Sequence, residues 1–374
     1  MKRVLLILGL VVLIGLAGCV EDSSDNGNDS VLDGEGAEDS DGPDSDRDNS
    51  DDSDTQDTES DDSSTGMDPP PAVEGELELH HIDVGQADST LVVTPANETI
   101  LIDTGDWRPD GAEVIEYLEN RDIDRIDHLI ATHAHADHIG GHATLIEHFE
   151  ENGDGIGDIY DSGVPHDSQT YENYLDAVDE HDHELLMVEE GDELPVETEN
   201  MTATVLNPPA GDSGDNLHYN SVSLSIEFGE VRYLTTGDAE DDAEARMIDE
   251  WSAALEADIY QAGHHGSSTS STEEFLEIVD PDIAIISSTL ESQYGHPHDE
   301  ILERFDVFGI ETYWTGVHGD IVITTDGDKI TTEPTADETT DPLALLELKD
   351  AIEDDGQNSY SLPGFTKVGT QASA

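Results

Sequence analysis

His133-Ala134-His135-Ala136-Asp137-His138-Ile139-Gly140-Gly141 sets three imidazoles and a carboxylate within six residues and closes on two glycines. The apolar run from Ile126 to Ile130 precedes it and reads as a buried strand; Ala143 to Phe149 follows and reads as a helix. The motif therefore sits on a strand-to-helix turn. In extended backbone, residues two apart point the same way, so His133 and His135 can approach one cation together. Asp137 and His138 emerge next and can approach a second. Imidazole and carboxylate are donors that zinc, iron and manganese accept. The paired glycines let the backbone fold tightly behind these side chains. A solvated acidic loop does not explain three histidines placed between a buried strand and Gly-Gly.

Further donors follow in an orderly series. Val231 to Thr236 reads as a buried strand that ends in Thr236-Gly237-Asp238. Asp258 to Ala262 reads as another, leading into Gly263-His264-His265-Gly266-Ser267. Tyr294-Gly295-His296-Pro297-His298 introduces an expected helix from Asp299 to Phe305. Near the start of the folded region stands His81-Ile82-Asp83-Val84-Gly85-Gln86-Ala87-Asp88-Ser89.

H-x-H-x-D-H resembles the signature of the metallo-β-lactamase superfamily. Val84-Gly85-Gln86, G-H-H-G-S and G-H-P more narrowly resemble the hydrolase domain of ComEC-type competence proteins and their free-standing secreted relatives, with Ala87 where those proteins carry a second glycine. The resemblance covers nearly all of residues 76–332. It implies an α/β fold of the αββα sandwich type, with two sheets face to face, helices outside and metals at one edge. The metal ligands it implies are His133, His135, Asp137, His138, Asp238 and one of His264 and His265, with Asp238 bridging two cations. The other histidine of that pair, with Ser267, would face the substrate. His296 would protonate a leaving group or hold the substrate, and Asp137 would take part in the chemistry. Other superfamily members place a third histidine at the start of the strand that here follows His218-Tyr219-Asn220-Ser221. The ComEC-type proteins carry an N-x-S segment there instead. The first metal position is thus one imidazole short, and Asn220, His218 or water can fill it. Asp103, before Thr104-Gly105, is expected to buttress a ligating histidine through its second ring nitrogen. His166, His181 and His183 are expected at the surface, His298 in a helix-capping loop. Residues 314–321 look like the family's closing hairpin.

Composition bounds the rest. Twelve Lys and Arg stand against 91 Asp and Glu, a net charge of −79. A wholly disordered acidic chain is excluded, because apolar strands recur from about residue 77 to 333. Adaptation to concentrated salt explains the charge: carboxylates keep the surface hydrated while salt screens their repulsion. For the same reason the acidity argues only weakly against a nucleic-acid partner. The single cysteine, Cys19, excludes an intrachain disulfide. Lys2-Arg3, the apolar run Val4–Leu16 and Leu16-Ala17-Gly18-Cys19 resemble a lipoprotein signal peptide with its lipobox. The run is shorter than the ~20 residues that span a bilayer.

The expected organisation is a signal peptide over 1–18, an acidic disordered tether over 19–74, a hydrolase domain over 75–334 and an acidic flexible tail over 335–374. A short helix is expected within that tail, from Leu343 to Ile352. The expected function is a lipid-anchored, metal-dependent hydrolase on the extracellular face of the membrane, attached through Cys19. It would hold two divalent ions, zinc by default and manganese as the alternative, and use a water that they activate. Phosphodiesters, in small molecules or nucleic acid, are the substrates the resemblance implies. The alternatives are an ester, amide or lactam hydrolase of the same superfamily, and a non-enzymatic metal-binding or recognition module.

Overall fold

The computed structural model describes residues 73–358, with side chains to Ile352. The expected signal peptide, lipid-bearing Cys19 and nearly all of the tether lie outside the described residues. Two sheets form from the chain in sequence. The first half supplies β1 (Leu77–His81), β2 (Thr90–Val93), β3 (Thr99–Ile102), α1 (Ala112–Glu119), β4 (Ile126–Ala131), α2 (His142–Asn152), β5 (Ile156–Asp161), α3 (Gln169–Glu180) and β6 (Leu185–Met187). The second supplies β7 (Met201–Asn207), β8 (Ser223–Phe228), β9 (Val231–Thr235), α4 (Asp241–Trp251), β10 (Ile259–Gln261), α5 (Glu273–Val279), β11 (Ile283–Ile286), α6 (Asp299–Phe308), β12 (Glu311–Trp314), a single turn α7 (Thr315–His318), β13 (Ile321–Thr325), β14 (Ile330–Pro334) and α8 (Pro342–Asn358). One sheet runs β14-β13-β1-β2-β3-β4-β5-β6 and the other β12-β11-β10-β9-β8-β7.

Each sheet is antiparallel at one end and parallel at the other. Strands β3 to β6 are parallel, joined through helices, and so are β9 to β12. Strands covered on both faces need apolar residues on both, and the alternation divides them. In β3, Ile100 and Ile102 enter the core between the sheets, while Leu101 turns out towards the helices. In β11, Ile285 faces the inter-sheet core and Ala284 and Ile286 face the helices. Three apolar cores result. One lies between the sheets, around Val205, Ile226, Phe228 and Tyr233. One lies under α1, α2 and α3, around Leu118, Phe149 and Tyr174. The last lies under α4, α5, α6 and α8, around Met247, Phe275, Phe305 and Leu345. The layers are therefore helix, sheet, sheet, helix, as expected.

Two expectations need correction. Residues 314–321 do not form a hairpin: β12 pairs with β11 in one sheet and β13 with β1 in the other. The turn α7 carries the chain across, and the aromatic and branched residues on both sides suit either topology. Nor does the fold end at residue 334. The Thr312 amide donates to the Thr340 carbonyl at 3.0 Å. Helix α8 buries Leu345 against the α6 layer, and Lys349 Nζ reaches Asp299 Oδ1 at 2.5 Å. A few leucines in a strongly acidic stretch are enough to hold it on the domain.

Helix α4 ends at Trp251, because Ser252 takes a positive φ of 47° and a tighter turn follows. Its buried Glu244 has a local task. The carboxylate accepts the amide N–H groups of Ser271 and Thr272, the latter at 2.9 Å. Arg304 donates to the Ser271 carbonyl from the other side. Burial pushes the Glu244 pKa up from 4.5 to about 7, against the pull of those hydrogen bonds and of Arg304. A carboxyl whose pKa rises on folding favours the folded state when protonated. Its contribution is complete below pH 4.5 and is lost as pH climbs through 7. That slope is worth on the order of 3 kcal/mol. Glu244→Gln removes the titration. The wild-type melting temperature, measured relative to that of Glu244→Gln, should therefore fall between pH 5 and pH 8; a constant difference across that range would contradict the assignment.

Candidate metal centre

The donors meet beyond the C-terminal ends of parallel strands from both sheets, where α/β folds place their ligands. Strand β4 delivers Thr132 to His138, β9 delivers Asp238, β10 delivers His264 and His265, and the segment before β8 delivers His218. Glycine makes this convergence sterically feasible at two points. A Cβ on Gly140 would stand 2.1 Å from the Trp107 amide nitrogen, and one on Gly237, at φ 51°, would stand 2.4 Å from Ser221 Oγ.

Four groups of donors gather here among the described residues, and two of them stand side by side at Asp238. His133, His135, His218 and Asp238 form one; Asp137, His138 and His265 form the other. Within each, the donor atoms lie within 4.8 Å of one another. Asp238 faces both. Its Oδ2 is 3.5 Å from His133 Nε2, and its Oδ1 is 3.1 Å from His138 Nε2 and 3.7 Å from His265 Nε2.

Surrounding groups fix which ring nitrogen faces inward. Asp103 Oδ2 takes His138 Nδ1 at 2.7 Å and Thr132 Oγ1 at 2.7 Å, while its Oδ1 accepts the Thr132 amide. The Ser287 carbonyl takes His265 Nδ1 at 2.9 Å. With both Nδ1 atoms donating, the Nε2 lone pairs of His138 and His265 face each other at 3.2 Å. That arrangement is repulsive unless a positive charge stands near it. Asp238 Oδ1, fully enclosed, makes no hydrogen bond of sound geometry. Burial alone would raise the Asp238 pKa, but the rings of His138, His265 and His133 hold it well below the usual range. Burial likewise disfavours a charged His265, yet Asp238 and Asp137 lift it to about 9. The locus thus attracts cationic charge. Bound metal would displace protons from these rings, and the residues fit divalent ions by both donor type and electrostatics.

The structure distinguishes the remaining candidates. Asn220 is fully buried and faces away: its Oδ1 accepts from Ser213 Oγ and its Nδ2 donates to the Asn216 carbonyl at 2.8 Å. Its amide is consumed in shaping the loop, which corrects its expected place in the site, and His218 joins the first cluster instead. Of the tandem histidines, His265 enters the second cluster. His264 borders the first cluster: its Nε2 is 3.6 Å from Asp238 Oδ2 and its Nδ1 3.3 Å from Glu240 Oε1, and with that carboxylate, which also meets His218 Nδ1 at 3.2 Å, it forms a separate donor group. Both histidines adopt left-handed backbone, φ 51° and 57°, and the His264 ring lies 4.6 Å from that of His218 while the His265 ring lies 5.0 Å from that of His138. Ser267 is also corrected: its hydroxyl is buried against Thr269 Oγ1 at 3.0 Å, away from the donors.

His296 borders the cluster, its ring 6.2 Å from that of His265 and 5.7 Å from that of His264. Burial, with the charges of His265 and His264, lowers its pKa to about 3, so the ring is neutral and Gln86 Nε2 meets its Nδ1 at 3.2 Å. His298 Nδ1 accepts the Ser268 amide at the start of α6, in the loop role expected for it. His166, His181 and His183 lie outside both clusters, partly buried rather than fully exposed.

Sequence reasoning missed Glu240 and gave Asp88 no place at the site. Asp88 is buried beside Asp103 and His138, and it accepts Gln261 Nε2 at 2.5 Å. Burial raises its pKa to about 6. The signal for Glu240 was its place two residues after Asp238.

With this geometry in hand, a family model described as the metallo-beta-lactamase superfamily matches residues 82–289. ComE operon protein 3 of Bacillus subtilis is 32% identical over 267 residues, which cover 67% of this chain and 33% of that protein. Competence protein ComA of Neisseria gonorrhoeae is 27% identical over 253 residues, 66% of this chain and 32% of that protein. The chain thus spans about a third of the length of these curated relatives. The metallo-beta-lactamase fold protein YhfI from Bacillus subtilis overlays with a TM-score of 0.44 at 12% identity, covering 69% of this chain and 100% of that one.

Proposed function

We propose, on the premise that this chain belongs to the metallo-beta-lactamase superfamily, that its domain is a two-metal hydrolase of phosphodiesters. The observation that carries this reading is Asp238, buried between two donor clusters with one carboxylate oxygen turned to each. Such a carboxylate suits paired cations, and paired cations suit displacement at phosphorus, where attacking and leaving oxygens both carry charge. His133, His135, His218 and Asp238 would hold one ion and Asp137, His138, His265 and Asp238 the other, with zinc the expected metal for this donor set. When bound, the pair would supply Lewis acidity and lower the pKa of a water at the site. The chain's own contribution is preorganisation. Asp103 and the Ser287 carbonyl hold two rings in the inward-facing tautomer. Glu240 orients His218. His296, neutral and partly enclosed, can hydrogen-bond an uncharged edge of the substrate.

The protein reconstituted with zinc or manganese should hydrolyse bis(4-nitrophenyl) phosphate, and should leave nitrocefin and nitrophenyl acetate nearly untouched. Faster turnover of nitrocefin or the acetate would move the domain to lactam or ester chemistry. Metal uptake without turnover of any of the three would favour a binding module.

A further inference from the structure

We propose that the cleft beside Asp137 is a nucleobase-stacking subsite, so that the substrate is single-stranded nucleic acid; this rests on the phosphodiesterase reading above. Among the described residues four large hydrophobic side chains are exposed, and the two aromatic ones, Trp107 at 53% and Tyr294 at 59%, border one cleft. The cleft has a volume of about 370 Å³ and reaches Asp137 of the second donor cluster. That volume lies at the small end of the range for ligand pockets.

Trp107 is not exposed through looseness of its backbone. Its amide donates to the Ala136 carbonyl at 3.1 Å, inside the metal motif, and Gly140 packs against the same amide. The backbone is tied to the site while the indole is left in water. Exposing that much apolar surface is unfavourable, and burying it under a flat ligand recovers the loss. Tyr294 is placed from the opposite half of the chain, its ring 5.8 Å from that of His296. The Arg108 guanidinium lies 5.0 Å from the Trp107 ring centroid and extends the stacking surface.

The charges at the rim choose the part of the ligand. Asp106 and Glu113 line the cleft, and Asp106 already neutralises Arg108 at 2.9 Å. A phosphate placed there would meet the Glu113 carboxylate, with Arg108 already engaged by Asp106. A base is uncharged and presents a π-face. The polar end of a nucleotide would therefore lie towards the donor clusters and the base over Trp107 and Tyr294. Bases paired and stacked in a duplex have no free face, which selects a single strand. Stacking also supplies affinity that does not depend on positive charge, in a chain of net charge −79.

The test compares a short single-stranded oligonucleotide with one of equal length carrying abasic residues, for cleavage and for binding by fluorescence anisotropy, using the metal-loaded full chain. Wild type should favour the base-bearing strand by roughly 5- to 100-fold for each stacked base. Trp107→Ala and Tyr294→Ala should each drive that ratio towards one, and Trp107→Phe should restore it. A wild type that cleaves both strands equally, or variants that keep the full preference, would overturn the subsite. Binding with an aromatic-dependent preference but without cleavage would retain the subsite and remove the phosphodiesterase reading. A protein that neither binds nor cleaves either strand removes both.

Discussion

Asp238→Ala should lower bound metal from two equivalents to less than one and reduce phosphodiester hydrolysis by at least about a thousandfold, since metal assistance supplies several kcal/mol to such reactions. No other carboxylate faces both clusters as closely: Asp238 stands 3.5 Å from His133 and 3.1 Å from His138. Removing it takes one donor from each set together. It also leaves the rings of His138 and His265 directed at one another without the negative charge that favours a cation between them. The fold should persist, because the three apolar cores lie elsewhere. His218→Ala should weaken one ion only. Asn220→Ala should leave stoichiometry at two, because its amide is spent on Ser213 and Asn216. Elemental analysis with circular dichroism on all three proteins checks the set. Full stoichiometry in Asp238→Ala, or metal loss in Asn220→Ala with the fold intact, would show the ligand assignment to be wrong.

Salt should have the second large effect, and in the direction opposite to that of most nucleic-acid enzymes. Proteins that grip phosphates through lysine and arginine lose affinity as salt rises, because counterions are released on binding. Here 12 basic residues face 91 acidic ones. Several of the basic ones are already paired locally, Arg125 with Asp127 and Arg246 with Glu190 among them. Little counterion release is available, and repulsion dominates. Its range contracts from about 30 Å at 0.01 M salt to about 3 Å at 1 M. Melting temperature and cleavage of a short DNA should both rise with potassium chloride into the molar range, and hydrolysis of a neutral ester, if detectable, should rise less. A domain that melts at the same temperature in 10 mM and 2 M salt, and cuts DNA fastest in the former, would refute this account of the charge.

Most of the fold was legible because its strands are short apolar runs bounded by turns, and the ligand series was legible because each donor follows one of those runs. Local pattern did not reveal where β12 and β13 belong, since an apolar strand carries no mark of which sheet it joins. Nor did it separate His264 from His265: the choice turns on two left-handed residues in succession, a backbone departure with no side-chain signature. Asn220 and His218 were equally open from sequence. The outcome depended on a loop in which Ser213 and Asn216 claim the amide first, leaving the imidazole to turn inward. Glu240 escaped notice because an isolated carboxylate carries little information in so acidic a chain, and Asp88, though inside a quoted motif, gave no sign that it would lie beside Asp103 and His138.

The division of the donors between the halves of the chain also sets an order in time. His133, His135, Asp137 and His138 leave the ribosome well before His218, Asp238 and His265, which belong to the second sheet. The first four offer a sparse, open grip on a metal. The bridging carboxylate and the closing imidazoles arrive only when the second sheet is made and seated against the first. On the proposed function, hydrolytic competence would be a late event in the life of each molecule, and a chain that stops short of residue 265 would lack a donor of the second cluster.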